Sequence, residues 1–264
     1  MQGYDNNTYG DAFADVYDEW YGDVSDVAAT VERLAELTTA HDTANEQRVD
    51  DQQVLELGVG TGRLAIPLAA RVWPTRVIGL DSSAAMLDRL AANQADVDPS
   101  RRVDVVRGDM VDGLPAGPFA VVFVAFNTFF NLATAERQHA CVRAVAERLA
   151  PDGLFVVEAD VPEQPAPSGS HVEVRSIAAD RVVLSVARYD GGGNQAEGQF
   201  VEFTESGGVR LRPWSIRYVA PAELDSMAST AGLVLRERWE DFAMHAFSAD
   251  SGRHVSVYAL AARD

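Results

Sequence analysis

A single cysteine, Cys141, occurs among 264 residues, so no internal disulfide can form and no cysteine-based metal site can be assembled. It falls in an apolar helical pattern with Val142, Val145 and Leu149 and reads as a small buried hydrophobe. Basic residues are scarce: 22 Lys+Arg stand against 40 Asp+Glu, giving a net charge of −18 and a pI near 4.6. That balance excludes a nucleic-acid binder, because phosphate contacts need clustered cations. It suits a cationic substrate such as a protonated amine, and it also serves solubility. No run of 18 apolar residues is present, so no membrane span is expected. The first residues, Met1-Gln2-Gly3-Tyr4-Asp5, lack the basic and apolar regions of a secretion signal, and a cytoplasmic protein is expected. Histidine is sparse as well (His41, His139, His171, His245 and His254), and no spacing among them suggests a metal site.

What remains is ordinary globular material, 47% hydrophobic and 23% charged, enough for one large α/β domain with an appendage. Its most informative stretch is Val54-Leu55-Glu56-Leu57-Gly58-Val59-Gly60-Thr61-Gly62-Arg63. A buried-strand pattern runs into three alternate glycines, and a helical pattern follows at Leu64, Leu68 and Val72. Glycines there permit a tight turn and a close approach of backbone to a ligand. The spacing is G-x-G-x-G. Arg63 stands where a dinucleotide fingerprint needs its third glycine, and the lysine of a phosphate-binding loop is missing.

Strands and helices alternate from residue 54 to residue 160, which predicts a parallel sheet with right-handed crossovers. Strands are expected at 76–80, 102–106, 119–126 and 154–158, the nearly all-apolar 119–126 being central. Pro151-Asp152-Gly153 reads as a turn. Ahead of this block, residues 1–22 are dense in Tyr, Trp and Asp and predict a lid over a pocket. Ser25 would cap a helix carrying Val27, Val31, Leu34 and Leu37, and polar residues 38–53 read as a linker. After Pro162 the pattern changes. Strand-like stretches near 171–177, 181–189, 197–205 and 209–219 are separated by glycine turns and predict antiparallel hairpins. Pro221 opens a helix that Gly232 closes, and strands at 233–239 and 254–260 finish the chain. The expected division is a helical cap, 1–45, and a main domain, 46–264, with an antiparallel insertion at about 168–219. Antiparallel strands there could pair across a symmetry axis in a homo-oligomer.

Acids end successive strands: Asp81 could accept from both hydroxyls of a ribose, and Asp109 from an exocyclic adenine N–H, with Met110 offering a soft surface to the ring. Glu56-x-Gly58-x-Gly60-x-Gly62, Leu80-Asp81-Ser82-Ser83-x-x-Met86-Leu87, Gly108-Asp109-Met110 and Leu149-Ala150-Pro151-Asp152-Gly153 resemble, in order, the motifs of class I S-adenosylmethionine-dependent methyltransferases. The resemblance covers about residues 50–160. It implies a Rossmann-like doubly wound sheet, S-adenosylmethionine as cofactor, the glycine turn under its methionine end, Asp81 at the ribose, and Asp109 and Met110 at the adenine. Glu56, Gly58, Gly60, Gly62, Ser82, Met86 and Phe126 complete the implied cofactor set.

The spacing Tyr9-x7-Tyr17-Asp18 further resembles small-molecule N-methyltransferases of antibiotic biosynthesis, the lincosamide and amino-sugar enzymes. That likeness implies Tyr17 at the cofactor and Tyr9 at the reacting centre, with Phe126 and Asn127 beyond the fourth strand completing the catalytic group. A histidine found there in the amino-sugar enzymes is replaced by Asn131. His171 and His245 could reach the pocket from the insertion or the tail, and Trp214 and Tyr218 could line its far side, while Phe129 and Phe130 read as core. The expected reaction is methyl transfer to an amine of a small natural-product intermediate, of lincosamide type, with no metal. The alternatives are O-methylation, a non-catalytic cofactor-binding protein, or a nicotinamide-dependent dehydrogenase.

Overall fold

Val54, Leu55 and Leu57 lie in β1 (Gln53–Leu57), fully buried because parallel neighbours flank it on both sides. β2 (Arg76–Asp81) pairs with one edge and β4 (Phe119–Val124) with the other. The computed structural model describes residues 1–45, 53–163, 166–191 and 194–262. In full, a seven-stranded sheet runs β10-β11-β5-β4-β1-β2-β3, with β3 at Asp104–Arg107, β5 at Leu149–Asp160, β10 at Leu233–Trp239 and β11 at Arg253–Leu260. Pairing is parallel from β3 to β5 and antiparallel through β11 and β10. The all-apolar β4 is the middle strand, as its composition predicts.

Three helices connect these strands: α4 (Ala65–Val72), α5 (Ala84–Asn93) and α6 (Ala135–Ala146). Ser83 caps α5 by accepting from the Met86 N–H at 3.2 Å, and Thr134 caps α6. α7 (Pro221–Thr230) has Pro221 in its first turn, and Gly232 follows at φ +80°. The chain order reverses between β1 and β4, so the carboxyl ends of β1, β2 and β4 open onto one crevice. Ligands of doubly wound sheets bind in such a crevice. Cys141 is buried in α6 among core side chains, and burial pushes its thiol up to about 12.

Four strands form a second, wholly antiparallel sheet in the order β6-β7-β8-β9: Ser168–Ile177, Arg181–Asp190, Gln195–Thr204 and Gly208–Arg217. Between the two sheets lie α1 (Thr8–Phe13) and α2 (Tyr17–Tyr21). Phe13, Ala14, Val16 and Met86 make a small core there, against which Phe200 and Trp214 pack.

Several local expectations need correction. α3 runs Val27–Asn45, so residues 38–45 continue the helix instead of forming a linker, and Thr38 is buried with its hydroxyl bonded to the Leu34 carbonyl. The rest of the expected linker lies outside the described residues. Asp26, not Ser25, accepts from the Ala29 N–H in the first turn of α3, because the helix begins at Val27 and residue 26 is its cap position; the Ser25 hydroxyl accepts from the Arg63 guanidinium. α3 places Leu34 and Ala35 in the same core as Val54, Leu68 and Phe123. Pro151-Asp152-Gly153 is an irregularity inside β5, where the register to β4 slips between Phe119 and Val121, and α6 ends at Ala146, before Leu149. Among the described residues, no helix is long and apolar enough to cross a membrane.

Candidate active site

The crevice is an open cleft with walls from four regions of the chain, one of them Thr128, Asn131 and Leu132 beyond β4. The glycine turn contributes Gly58 and Gly60. The ends of β2 and β3 contribute Asp81, Ser82, Asp109 and Met110, with Met86 from α5, and the cap contributes Tyr4, Asn6, Tyr9, Gly10 and Tyr17. Nine of the residues singled out from sequence therefore meet at one place: Tyr9, Tyr17, Gly58, Gly60, Asp81, Ser82, Met86, Asp109 and Met110.

The turn is built from positive-φ glycines. Gly58 adopts φ +69°, and a Cβ on it would lie 2.3 Å from Thr128 Cγ2. Gly60 (φ +54°) faces open space, its nearest neighbours being Met86 Sδ and Tyr17 Cε1 at 4.0 Å. The Gly60 N–H donates to Asp81 Oδ2 and the Ser83 N–H to Asp81 Oδ1, each at 2.9 Å. These two bonds hold the carboxylate across the mouth of the turn while leaving acceptor capacity on both oxygens. Burial nevertheless raises the Asp81 carboxyl above its ordinary range, and the backbone donors offset part of that rise.

Asp109 is differently placed. Its Oδ1 accepts from Arg137 and from the Val111 and Asp112 N–H groups, and its Oδ2 from Asn6 Nδ2 at 2.8 Å. Three donors crowd Oδ1, whereas Oδ2 carries the Asn6 bond alone and keeps an acceptor position for a further N–H donor. Asn6 is also tied by its carbonyl, which accepts from the Ser82 hydroxyl.

Glu56 lies behind the turn. With Arg63, Tyr17 and Phe126 it lines a smaller neighbouring cavity. Its Oε2 is buried and has no hydrogen-bond partner among the described residues. Burial drives the Glu56 carboxyl well above its ordinary value, and the nearby Arg63 only partly opposes this.

Besides Glu56, three residues singled out from sequence do not line the main cleft. Gly62 (φ +84°) sits where a Cβ would press on Ile66 and Leu90 within 3.0 Å, so it serves the packing of α4 and α5. Asn127 turns away from the cleft: its amide donates to Asp160 at 2.8 Å, and the Asp160 N–H donates back to Asn127 Oδ1 at 2.7 Å. Phe126 faces the smaller cavity, 5.3 Å from the Arg63 guanidinium and 5.9 Å from the Tyr21 ring. Phe126 and Asn127 both adopt left-handed backbone, φ +51° and +61°, a strained pair for residues with side chains. The Glu158 carboxylate holds this corner by accepting from the Phe126 N–H at 2.9 Å.

Other expected pocket residues lie elsewhere. Trp214 packs into the cap core and Tyr218 against Phe130, while Phe129 and Phe130 are core residues, as read. His171 and His245 are exposed and bonded locally to Ser168 and Asp241. Asn131, with Thr128 and Leu132, does line the cleft. Tyr4 lines the cleft from the aromatic segment read as its lid; sequence reasoning missed Asn6, Thr128 and Leu132 as wall residues, and the density of residues 1–22 was the only available signal for Asn6.

Comparison with known proteins decides the family. A methyltransferase domain pattern matches residues 54–153, the stretch that builds β1 to β5. The cypemycin N-terminal methyltransferase of a Streptomyces species is 30% identical over 196 residues, which span 72% of this chain and 76% of that protein. The chain belongs to the S-adenosylmethionine-dependent methyltransferases. This methyltransferase superposes on the CcbJ methyltransferase from Streptomyces caelestis with a TM-score of 0.84 and 39% identity, covering 98% of this chain and 100% of that one. An amino pentose methyltransferase from Micromonospora echinaspora, CalS10, solved with S-adenosylmethionine bound, shares the fold at 22% identity and a TM-score of 0.63, covering 93% and 96%. S-adenosylmethionine is accordingly the cofactor.

The cleft of the methyltransferase fits that molecule. The unpartnered Glu56 oxygen suits an ammonium, the open space over Gly60 a chain laid close to backbone, and the carboxylate of Asp81 a pair of hydroxyls. Met86 and Met110 give polarizable surface to a flat ring.

Proposed function

We propose that the enzyme transfers a methyl group from S-adenosylmethionine to an amine nitrogen of a small natural-product intermediate, of lincosamide-like type, by in-line displacement. When bound, the cofactor supplies an electrophilic methyl carbon on a sulfonium. The work left to the chain is placement of a lone pair about 3–3.5 Å from that carbon, on the axis away from sulfur. Glu56 and the glycine turn would hold the methionine end, Asp81 the ribose, and Met86 and Met110 the adenine. Tyr17 would lie over the cofactor, and Tyr9 would orient the acceptor.

The character of the acceptor wall carries the choice of nitrogen over oxygen. Its polar groups are the phenols of Tyr4 and Tyr9 and the side chains of Thr128 and Asn131. Burial pushes the Tyr4 phenol up to about 12 and the Tyr9 phenol well above 10, so both stay neutral across the physiological range. The cleft carboxylates are engaged by backbone: Asp5 accepts from Asn7 and Thr8, Asp81 from Gly60 and Ser83, and Asp109 from Val111. A neutral phenol can orient a neutral amine, already a good nucleophile, but is too weak a base to activate an ordinary hydroxyl. The amine homologue, the cypemycin N-terminal methyltransferase, supports the same choice.

The test offers purified enzyme a panel of primary and secondary amines beside catechols and hydroxy acids, and weighs the products by mass spectrometry. Methylated amines alone are expected. Methylated oxygen alone overturns the nitrogen reading, and cofactor binding without turnover on any class overturns the enzymatic one.

A further inference from the structure

β4 ends at Val124, whose register partner on β5 is Val157, and the chain then leaves the sheet in left-handed backbone at Phe126 and Asn127. Asparagine visits that region readily, whereas for a bulky ring it is an outlier that the surroundings must impose. One residue accepts both amides of the pair. Glu158 takes the Phe126 N–H on its carboxylate Oε2 at 2.9 Å and the Asn127 N–H on its own backbone carbonyl at 3.3 Å. The reciprocal bonds between Asn127 and Asp160 tie the same corner to the same strand. Glu158 is itself buried, 7% exposed, and lines neither the cleft nor the smaller cavity.

Two halves of the site hang from this corner. On one side Phe126 walls the smaller cavity with Glu56, Tyr17 and Arg63. On the other the chain turns at once into a short 3₁₀ helix, Thr128–Asn131. That turn is closed by bonds from the Thr128 N–H to the Ala125 carbonyl at 3.1 Å and from the Phe130 N–H to the Asn127 carbonyl at 2.9 Å. It delivers Thr128, Asn131 and Leu132 to the main cleft, and the Thr128 methyl rests on the Gly58 backbone. We infer that Glu158 is a positioning residue for methyl transfer: by capturing the Phe126 amide it keeps the cofactor wall and the acceptor wall in one register. Nitrogen and oxygen acceptors need that wall alike, so the role rests on methyl transfer and not on the choice of nitrogen. It asks of Glu158 an oxygen at the right reach, not a charge. Burial raises the Glu158 carboxyl above its ordinary range, the Phe126 bond, Arg63 and Arg253 opposing the rise and Asp160 adding to it.

Two substitutions part the bond from the charge. Glu158→Gln keeps an accepting oxygen at the same reach and loses the charge; Glu158→Asp keeps the charge and falls one methylene short. Both are compared with wild type for cooperative melting, for affinity to S-adenosylmethionine by calorimetry, and for exchange of the amides of residues 125–132 by mass spectrometry. Turnover is measured on whichever amine, catechol or hydroxy acid the wild type methylates fastest. Glu158→Gln is expected to match wild type in exchange and turnover. In Glu158→Asp exchange of the segment should be about tenfold faster, as loss of one hydrogen bond dictates. Its kcat should fall about a hundredfold, which is what a misplacement of about 1 Å costs. Cofactor affinity should hold, because the glycine turn, Asp81 and Asp109 follow other strands. Glu158→Asp turning over as fast as wild type, Glu158→Gln as slow as Glu158→Asp, or a loss of turnover that only follows lost folding or lost cofactor overturns the role. Exchange alike in all three proteins overturns it with no acceptor needed, whereas a panel methylated only on oxygen overturns the amine reading and leaves the role of Glu158 standing.

Discussion

The two sheets grip the cap by different means. The parallel sheet touches it through short, neutral or singly charged contacts at strand ends: the Thr61 hydroxyl donates to Asp18 at 2.6 Å, Ser83 to Asp11 at 2.5 Å, and Asn6 to Asp109. The antiparallel sheet holds it with arginines. Arg212, 1% exposed, bonds the Ala12 carbonyl, both oxygens of Asp15 and the buried Glu202. Arg210 reaches Asp15 and Arg181 reaches Glu19, and Arg175 lies 4.8 Å over both the Trp20 and Phe200 rings. One side of the cap is thus set by geometry at the cofactor, the other by buried charge. Cofactor affinity and stability should therefore respond to mutation on opposite sides.

The largest effect is expected at the turn. Gly58→Val sets a Cβ into Thr128 and forces a β-branched residue to φ +69°; cofactor binding by calorimetry should be lost. If binding survives, the parallel-sheet side is not the seat of the cofactor. Next is Arg212→Met, which leaves the buried Glu202 with only the longer Arg181 contact at 3.6 Å and should cost about 3–5 kcal/mol in urea unfolding. Converting Glu202→Leu in the same chain should recover much of this, since an apolar replacement of a whole buried pair is often close to neutral. Failure to recover would show that the cap is not held by the charges themselves.

Glu56 separates the halves by pH. Burial raises its carboxyl in the free protein, so its contribution to stability is present below the ordinary carboxylate range and is lost as pH rises through the raised value. A bound ammonium favours the ionised form, so binding expels the proton. Cofactor affinity should therefore rise up to tenfold per pH unit over that window, and Glu56→Gln should flatten the rise. The smallest effect is expected for Tyr9→Phe: turnover should fall about tenfold, less than the roughly 10²–10⁴-fold that a proton-transferring group supplies, because the phenol only orients the acceptor, with cofactor affinity unchanged.

How much of this could be read from the sequence follows the range of the interactions. The glycine turn, Asp81 and Met86 are local devices whose spacing along the chain is their geometry, and they lie where spacing puts them. β4 was central because only a strand covered on both faces is apolar throughout. Asn127 misled because residue type shows an amide available for a substrate, while its partner, Asp160, sits on a neighbouring strand. The Arg212 cluster joins residues nearly two hundred positions apart and leaves no periodic trace. Residues 38–45 looked like a linker by polarity, yet Thr38 and Thr39 return their hydroxyls to carbonyls four residues back and the helix runs on.

Asn6 gives the enzyme a latch as well as a wall. Its two bonds, to Asp109 and from Ser82, lie at the mouth of the cleft; the first, to a charged acceptor, contributes about 1.5–3 kcal/mol net and the second about 0.5–1.5 kcal/mol. The opposite edge of the cap is held by Arg212 through Asp15 and the buried Glu202. The spent cofactor must leave before the next arrives, and the Asn6 edge is where the cap would part at the smaller cost. In many enzymes release and not chemistry limits turnover; there, a residue remote from the reacting methyl becomes the clock of the reaction.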